Sequence, residues 1–229
     1  HFPAHRFVLL GFDDEKQEVY LADRTREQAE VCSMEALRMS RNPPDAISTY
    51  NAWGQFSSGA QRHSLPDACG LALRKTVERM LGIDTSQHDL MERMSGASGG
   101  NVAVGLKGLR TFSEQIQLWS ELDNAANHAR YVDNAIIKYG TGGGFFRDHF
   151  AVFMAWSQRQ RPDIVSTVTV NLAVEAAQRW NTLSPTMQQL ADSPADPALW
   201  ASANEQVMDI YETEYSLFGH LADSVLRAG

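Results

Sequence analysis

The sequence has 229 residues, enough for one large domain or two small ones, and its 43% hydrophobic and 21% charged residues are typical of a soluble globular protein. The formal charge of −8 argues against general nucleic-acid binding, and no apolar run approaches the roughly 20 residues that span a bilayer, so we expect no nucleic-acid partner and no membrane partner. Two cysteines, Cys32 and Cys69, are too few for a disulfide scaffold and favour a reducing, cytoplasmic location.

The first fifty residues are predicted to form β structure. Residues 7–12 and 18–23 are short apolar runs without helical period, and the polar residues 13–17 between them indicate the turn of an antiparallel hairpin. Because both runs are mostly apolar, we expect the strands to lie inside a sheet that is covered on both faces. A short helix over 33–39 follows and ends at the Asn-Pro-Pro-Asp of 42–45.

Everything after Leu65 is predicted to be helical. Ser64 caps the first of these helices, and apolar residues then repeat every three or four positions in the segments 106–122, 132–139, 146–154, 172–180 and 199–225. We expect a break at Ser184-Pro185 and a last helix that begins near Asp196. The predicted fold class is therefore α+β, with a small antiparallel β part in residues 1–50 and a mostly α-helical domain in residues 51–229.

His5 and Asp23 are candidate catalytic residues. His5 comes just before the first predicted strand and Asp23 ends the second, so a hairpin would bring the two residues side by side. A carboxylate there can accept a hydrogen bond from one imidazole nitrogen, which leaves the other nitrogen free to act as a base. The alternative is that His5 is an ordinary packed or surface histidine.

The residues around His5 resemble the histidine strand of papain-like cysteine enzymes. In those enzymes the catalytic histidine opens an apolar strand, a glycine and an aromatic residue follow six and seven positions later, and the orienting Asn or Asp lies on the next strand. His5, Gly11, Phe12 and Asp23 fit this order. The resemblance implies that the nucleophilic cysteine and its helix precede His1, and we expect this chain, which begins without a methionine, to be part of a longer enzyme.

A glycine-rich run gives a second resemblance. Residues 138–147 read KYGTGGGFFR, which is similar to the signature of the butirosin biosynthesis protein H-like family, and the segments 5–23 and 34–38 are similar to that family's central region. Its members join an N-terminal thiol-enzyme segment to a C-terminal helical domain. The resemblance implies a papain-like acyltransferase that moves an acyl group from a carrier-protein thioester to an amine. It implies an acyl carrier protein and an amine acceptor as partners, and no cofactor beyond a phosphopantetheine-bound acyl donor.

The glycine run is also a candidate substrate-binding or anion-binding loop. We expect a helix to begin near Phe145, so that its free N–H groups and Arg147 face a loop that contains Gly142, Gly143 and Gly144. The phosphate of phosphopantetheine would be a natural ligand there. The alternative is a tight corner between two helices, in which the glycines relieve crowding.

Other possibilities stay open at this point. Cys69 at the start of a helix, where free backbone N–H groups stabilise a thiolate, is a weaker candidate nucleophile, and Cys32 is weaker still. The histidines have no metal-ligand spacing, so we predict no metal. The same catalytic residues would also serve a peptidase or amidase. An alternative hypothesis is that the chain is a non-catalytic helical binding module. In each case we expect the strand 7–12 to be covered by another segment, another chain or a second copy.

Overall fold

A computed structural model describes residues 7–23, 27–41, 54–55, 59–60, 62–86, 102–138 and 141–227. The fold is α+β and dominated by helices, as predicted. The chain divides into two compact units, His1–Ala60 and Gln61–Gly229. The predicted domain boundary between residues 50 and 51 lies outside the described residues.

The first unit contains a three-stranded antiparallel sheet and one helix. Its strands are β1 (Val8–Asp13), β2 (Glu18–Ala22) and β3 (Glu30–Ser33), in the order β1-β2-β3, and the helix is α1 (Met34–Arg41). The predicted hairpin is thus confirmed, with Val8 opposite Ala22 and Asp13 opposite Glu18. The carboxylate of Asp13 fixes the turn by accepting hydrogen bonds from the backbone amides of Glu15 and Lys16. The third strand was not predicted, because its four residues carry only two apolar side chains.

Strand β1 exposes its apolar side chains within this chain. Leu9 is 52% exposed, Leu10 57% and Phe12 62%. A bulge between Leu9 and Gly11 interrupts the pairing of β1 with β2 in this stretch. Strand β2 is better covered, and Val19 is buried at 3% exposure. Among the described residues of this unit, little covers the side chains of β1, and cover from another segment or chain stays a prediction.

The second unit is helical. Its α-helices are α2 (Leu65–Met80), α3 (Gly105–Gln115), α4 (Ala125–Ile137), α5 (Arg147–Gln160), α6 (Thr167–Asp192) and α7 (Pro197–Val225), and two 3₁₀ segments cover Ile116–Glu121 and Gly144–Phe146. The predicted caps are confirmed for two helices. Ser64 accepts a hydrogen bond from the amide of Asp67 at the start of α2, and Asp196 accepts one from the amide of Ala198 at the start of α7.

The core of this unit consists of two clusters of buried side chains that α6 and α7 share. One cluster is built from α3, the first 3₁₀ segment, α4, α6 and α7, and its largest fully buried members include Ile116, Ile136, Met187 and Ile210. The other joins α2 and α5 to α6 and α7 through residues such as Leu73, Met154, Leu217 and Leu221. Because α6 and α7 line both clusters, side chains on these two helices are the best anchored in the unit.

The predicted helix break at Ser184-Pro185 is wrong. Helix α6 continues through Pro185, although proline lacks the amide that would bond the carbonyl of Asn181. The side chains of Leu183 and Met187 on either side of Pro185 are fully buried. Ser184 donates a hydrogen bond to the buried carboxylate of Asp133 on α4. Tertiary packing therefore outweighs the local preference of proline.

Helices α6 and α7 have 26 and 29 residues and are long enough to cross a bilayer. Both carry charged residues, among them Glu175, Arg179, Asp209 and Glu212. Across the described ranges, no helix combines the length and the apolar composition that a membrane span needs.

Candidate functional site

Asp23, the member of the predicted catalytic pair that lies within the described residues, is at one end of the β1–β2 hairpin. Asp23 directly follows Ala22, whose partner across the hairpin is Val8, and Phe7 directly precedes Val8. Asp23 therefore lies at the end of the hairpin where β1 begins, and it is half-buried. His5 lies outside the described residues, so its hydrogen bond to Asp23 stays a prediction.

The two cysteines occupy other places. Cys32 is in β3, opposite Val19 on β2, and it is partly buried. Cys69 is the fifth residue of α2 and is buried at 3% exposure, so its predicted place among the free backbone N–H groups at the helix start is wrong. Only the first four amides of a helix are free, and Cys69 lies beyond them.

The glycine run adopts a left-handed backbone over five successive residues. The φ angles are +69° at Gly142, +99° at Gly143, +55° at Gly144, +51° at Phe145 and +70° at Phe146. Glycine adopts such angles freely, whereas a bulky residue with positive φ is an outlier. The predicted helix start near Phe145 is close, because the 3₁₀ segment Gly144–Phe146 leads directly into α5 at Arg147.

The three glycines also bring the backbone into close contact with other groups. A Cβ atom at Gly142 would overlap the imidazole of His149, and one at Gly143 would overlap the carboxylate of Asp148. A Cβ atom at Gly144 would lie 3.2 Å from the carbonyl oxygen of Ala177 on α6. The run is therefore a tight corner before α5, and each glycine makes room for a different neighbour.

Arg147 lies at the first position of α5 and is held by a buried carboxylate. Its Nε and Nη2 atoms each donate to Glu214 of α7 at 2.8 Å, and its Nη1 donates to the carbonyl of Phe145 at 3.2 Å. Glu214 is fully buried and also accepts a hydrogen bond from Nε1 of Trp180 at 2.8 Å. The guanidinium carbon lies 5.8 Å from the ring centroid of Trp180, which adds a cation–π contact. The charge of Arg147 is thus neutralised within the unit.

Asn181 of α6 completes the corner. Its side-chain oxygen accepts a hydrogen bond from the amide of Gly144 at 2.8 Å, and its side-chain nitrogen donates to the carboxylate of Asp148 at 3.1 and 3.2 Å. Asp148 places a negative charge in the first turn of α5, where the helix dipole stabilises an anion. These contacts join α5, α6 and the glycine run to one another. An external anion at this helix start would lie next to the negative charge of Asp148. The anion-binding role of Gly142, Gly143, Gly144 and Arg147 stays a prediction.

Four polar residues of this corner were not predicted as site residues: Asp148, His149, Asn181 and Glu214. Glu214 had a detectable signal, because it lies four positions after Ile210 and three before Leu217 in the apolar stripe of α7. A carboxylate on a buried helix face requires a cation or hydrogen-bond donors nearby. Within the described ranges, no group of three or more His, Cys, Asp or Glu side chains is arranged to hold a metal ion.

Comparison with known proteins gives one match. A family model described as "Domain of unknown function (DUF4872)" matches residues 33–221. No curated protein matches the chain, and no solved structure matches it. The match covers the end of the first unit and almost all of the helical unit, including the glycine corner. The hairpin end with Asp23 precedes the matched range.

Proposed function

Because this chain belongs to the family described as "Domain of unknown function (DUF4872)", whose description assigns no chemistry, we propose a function from its own residues. The chain is part of a papain-like thiol acyltransferase that moves an acyl group from a carrier-protein thioester to an amine. His5 is the general base, Asp23 orients it, and the nucleophilic cysteine comes from a segment outside residues 1–229. The resemblance of residues 5–23 and 138–147 to the butirosin biosynthesis protein H-like family supports this proposal.

The observation that carries the proposal is the register of the β1–β2 hairpin. Val8 pairs with Ala22, so the carboxylate-bearing residue after Ala22 lies at the same end of the hairpin as the residue before Val8. His5 precedes Phe7 by two residues, and two residues of chain span about 7 Å at most. A base on one strand and its orienting carboxylate on the next is the arrangement that a thiol enzyme of this type needs.

The proposed reaction has two acyl transfers. His5 takes the proton of the cysteine thiol, and the thiolate attacks the carbonyl carbon of the acyl thioester. The carrier thiol leaves with that proton, and an acyl-enzyme remains. The amine then attacks the acyl-enzyme, His5 accepts the amine proton, and the proton passes to the departing cysteine sulfur as the amide forms. Asp23 holds the imidazole in the required tautomer throughout.

The partners follow from this reaction. They are an acyl carrier protein, which presents its acyl group on phosphopantetheine, and an amine acceptor. Residues 161–229 contain three basic and nine acidic residues, and this negative charge would attract a cationic amine. The papain-like segment that carries the cysteine would also cover the exposed apolar side chains of β1. A cytoplasmic location belongs to the same proposal and is supported by the free thiols of Cys32 and Cys69.

Thiol reactivity at low pH tests the proposal in the full-length protein. A cysteine paired with a histidine reacts with iodoacetamide at pH 6, whereas a free thiol with a pKa of about 8.5 is almost entirely protonated there. We expect one cysteine outside residues 1–229 to be alkylated rapidly at pH 6, and His5→Ala to slow that alkylation by roughly tenfold or more. Asp23→Ala should lower the rate of amide formation from an acyl thioester by a similar factor, roughly tenfold or more.

Matched controls come from elsewhere in the chain. His220→Ala removes an exposed histidine of α7, and Asp14→Ala removes an exposed carboxylate at the opposite end of the hairpin. Both variants should react as the wild type does. Equal rates in the His5 and His220 variants would overturn the acyltransferase proposal and favour the alternative, a non-catalytic helical binding module. Release of the free acid in the presence of excess amine would assign the site to a peptidase or amidase instead.

A further inference from the structure

A surface depression of about 330 Å³ lies in the helical unit, away from the glycine corner. One face of α2 forms its floor, with Asp67, Gly70, Leu71 and Arg74 at the spacing of successive turns. The connection between α5 and α6 contributes Arg161 and Ile164, and the last residue of α7 contributes Val225. The volume is at the lower end of the range typical of small-molecule sites, about 300–1,000 Å³.

Arg161 is held in a fixed position at this depression. Its Nε and Nη2 atoms donate to the two carboxylate oxygens of Asp163 at 2.9 and 2.7 Å. Its Nη1 atom lies against Gly70, where a Cβ atom would overlap it. Gly70 therefore leaves room on this face of α2 for the Nη1 atom of Arg161. No hydrogen bond from Nη1 to another described residue is formed.

Arg74 is the second fixed guanidinium. Its Nη2 atom donates to the carbonyl of Val225 at 3.0 Å and so caps the end of α7. Among the described contacts, its Nε and Nη1 atoms have no hydrogen-bond partner. Because the protein already holds both arginine side chains, little side-chain entropy is lost when a ligand binds their remaining N–H groups.

The charge and polarity of the lining select one kind of ligand. The two arginines favour an anion, and His63 lines the depression beside them. The carboxylate of Asp163 already pairs with Arg161, and Asp67 and the carbonyl end of α7 add negative potential, which disfavours a doubly charged group such as phosphate. Leu71, Ile164 and Val225 supply apolar surface. We propose that this depression binds a small organic monoanion, a carboxylate attached to a short aliphatic chain, with Arg74 and Arg161 holding the carboxylate. None of the residues that line the depression is among the proposed acyltransferase residues, and binding there requires no turnover.

Binding of hexanoate to the full-length protein tests the inference. Amide chemical shifts of Gly70, Leu71 and Ile164 are followed while hexanoate is added to about 20 mM, and we expect saturation with a dissociation constant of about 1 mM. Hexan-1-ol keeps the chain without the charge, and inorganic phosphate keeps a charge without the chain, so both should bind at least tenfold more weakly. Absence of saturable shifts with hexanoate would overturn the proposal. Phosphate binding as tight as hexanoate binding would overturn the assignment to a carboxylate.

Three variants and a control test the residues. Arg74→Gln and Arg161→Gln should each weaken hexanoate binding about tenfold, the usual scale for a charged hydrogen bond. Gly70→Ala keeps every charge but displaces the Nη1 end of Arg161, and it should weaken binding as well. Lys75→Gln changes an exposed cation next to Arg74 that does not line the depression, and it should leave binding unchanged. Equal affinity in the Arg74, Arg161 and Lys75 variants would show that the arginines do not hold the ligand.

Discussion

Arg147 at the start of α5 and Glu214 in the middle of α7 form a bidentate salt bridge, with both N–O distances at 2.8 Å. The carboxylate is fully buried and receives a third hydrogen bond from Trp180 of α6. One side chain therefore joins three helices at the glycine corner. Removing one partner of such a buried ion pair strongly destabilises the protein, because the remaining charge is left without compensation.

Glu214→Gln is therefore expected to lower the free energy of unfolding by about 3 kcal/mol. The amide can still accept from Trp180, so the loss comes mainly from the unpaired Arg147. Urea unfolding monitored by circular dichroism measures the change. Glu212→Gln, at an exposed position of the same helix, should change stability by less than about 0.5 kcal/mol. Combining Arg147→Met with Glu214→Gln removes both charges and should restore at least half of the loss; a double variant as unstable as the sum of the single variants would contradict this account.

Replacement by alanine should have opposite effects on stability at Gly143 in the glycine corner and at Gly219 in α7. Gly143 has φ of +99° and ψ of 155°, a region that essentially only glycine adopts, and a Cβ atom there meets Asp148. Gly143→Ala should therefore lower the free energy of unfolding by about 2 kcal/mol or more. Gly219 lies inside α7 with nothing within 4 Å of its Cβ position, so Gly219→Ala should raise stability by about 1 kcal/mol. Thermal unfolding of the two variants compares them directly, and a stabilised Gly143 variant would show that the corner is relaxed.

Much of the fold was predictable because its signals are local. Alternation of apolar runs with a polar turn gave the β1–β2 hairpin, and side-chain caps gave the starts of α2 and α7. Pro185 is an exception to the local signals: Leu183 and Met187, two residues away on either side, are fully buried in a cluster with side chains of α4 and α7. Strand β3 was missed for a related reason, since its two apolar residues matter only once β2 provides a partner.

The candidate site was only partly predictable. The glycine run marked the corner before α5, but the contacts of Arg147 depend on Glu214, which is 67 residues away in the sequence. Asn181 is equally remote from Gly144, at 37 residues. Such pairs arise from helix packing, which spacing along the chain does not encode. The charge of Glu214 within an apolar helix face was the one local sign of a buried partner.

Two neighbouring phenylalanines in the corner should respond oppositely to glycine. Both have a left-handed backbone, but Phe145 packs on Trp180 at 5.1 Å between ring centroids, whereas Phe146 is 53% exposed. Phe146→Gly relieves backbone strain with little loss of burial, and we expect a gain of about 1 kcal/mol. Phe145→Gly relieves the same strain but loses an aromatic contact and buried area, so we expect a net loss of about 2 kcal/mol. Urea midpoints of both variants give the signs, and destabilisation by Phe146→Gly would indicate that its exposed ring makes a stabilising contact.

Asp84, which follows the end of α2, makes the free energy of unfolding depend on pH in the acid range. Hydrogen bonds from the hydroxyl and amide of Ser86, with a further one from Arg79, lower the pKa of its carboxyl from 3.8 to about 2. A carboxyl whose pKa is depressed by folding stabilises the protein above the pKa of the unfolded chain, near 4, and loses this effect as the pH falls through 2.

Asp84→Asn should therefore be less stable than the wild type at pH 5, and the difference should shrink as the pH falls from 4 towards 2. Thermal unfolding midpoints measured at intervals across this range test both statements. Asp192→Asn, which neutralises an exposed carboxylate at the last residue of α6, controls for a general effect of net charge. A difference between wild type and Asp84→Asn that stays constant from pH 5 to pH 2.5 would contradict the role of Ser86 and Arg79, because the protonated carboxyl could then accept their hydrogen bonds as well as the ionised one does.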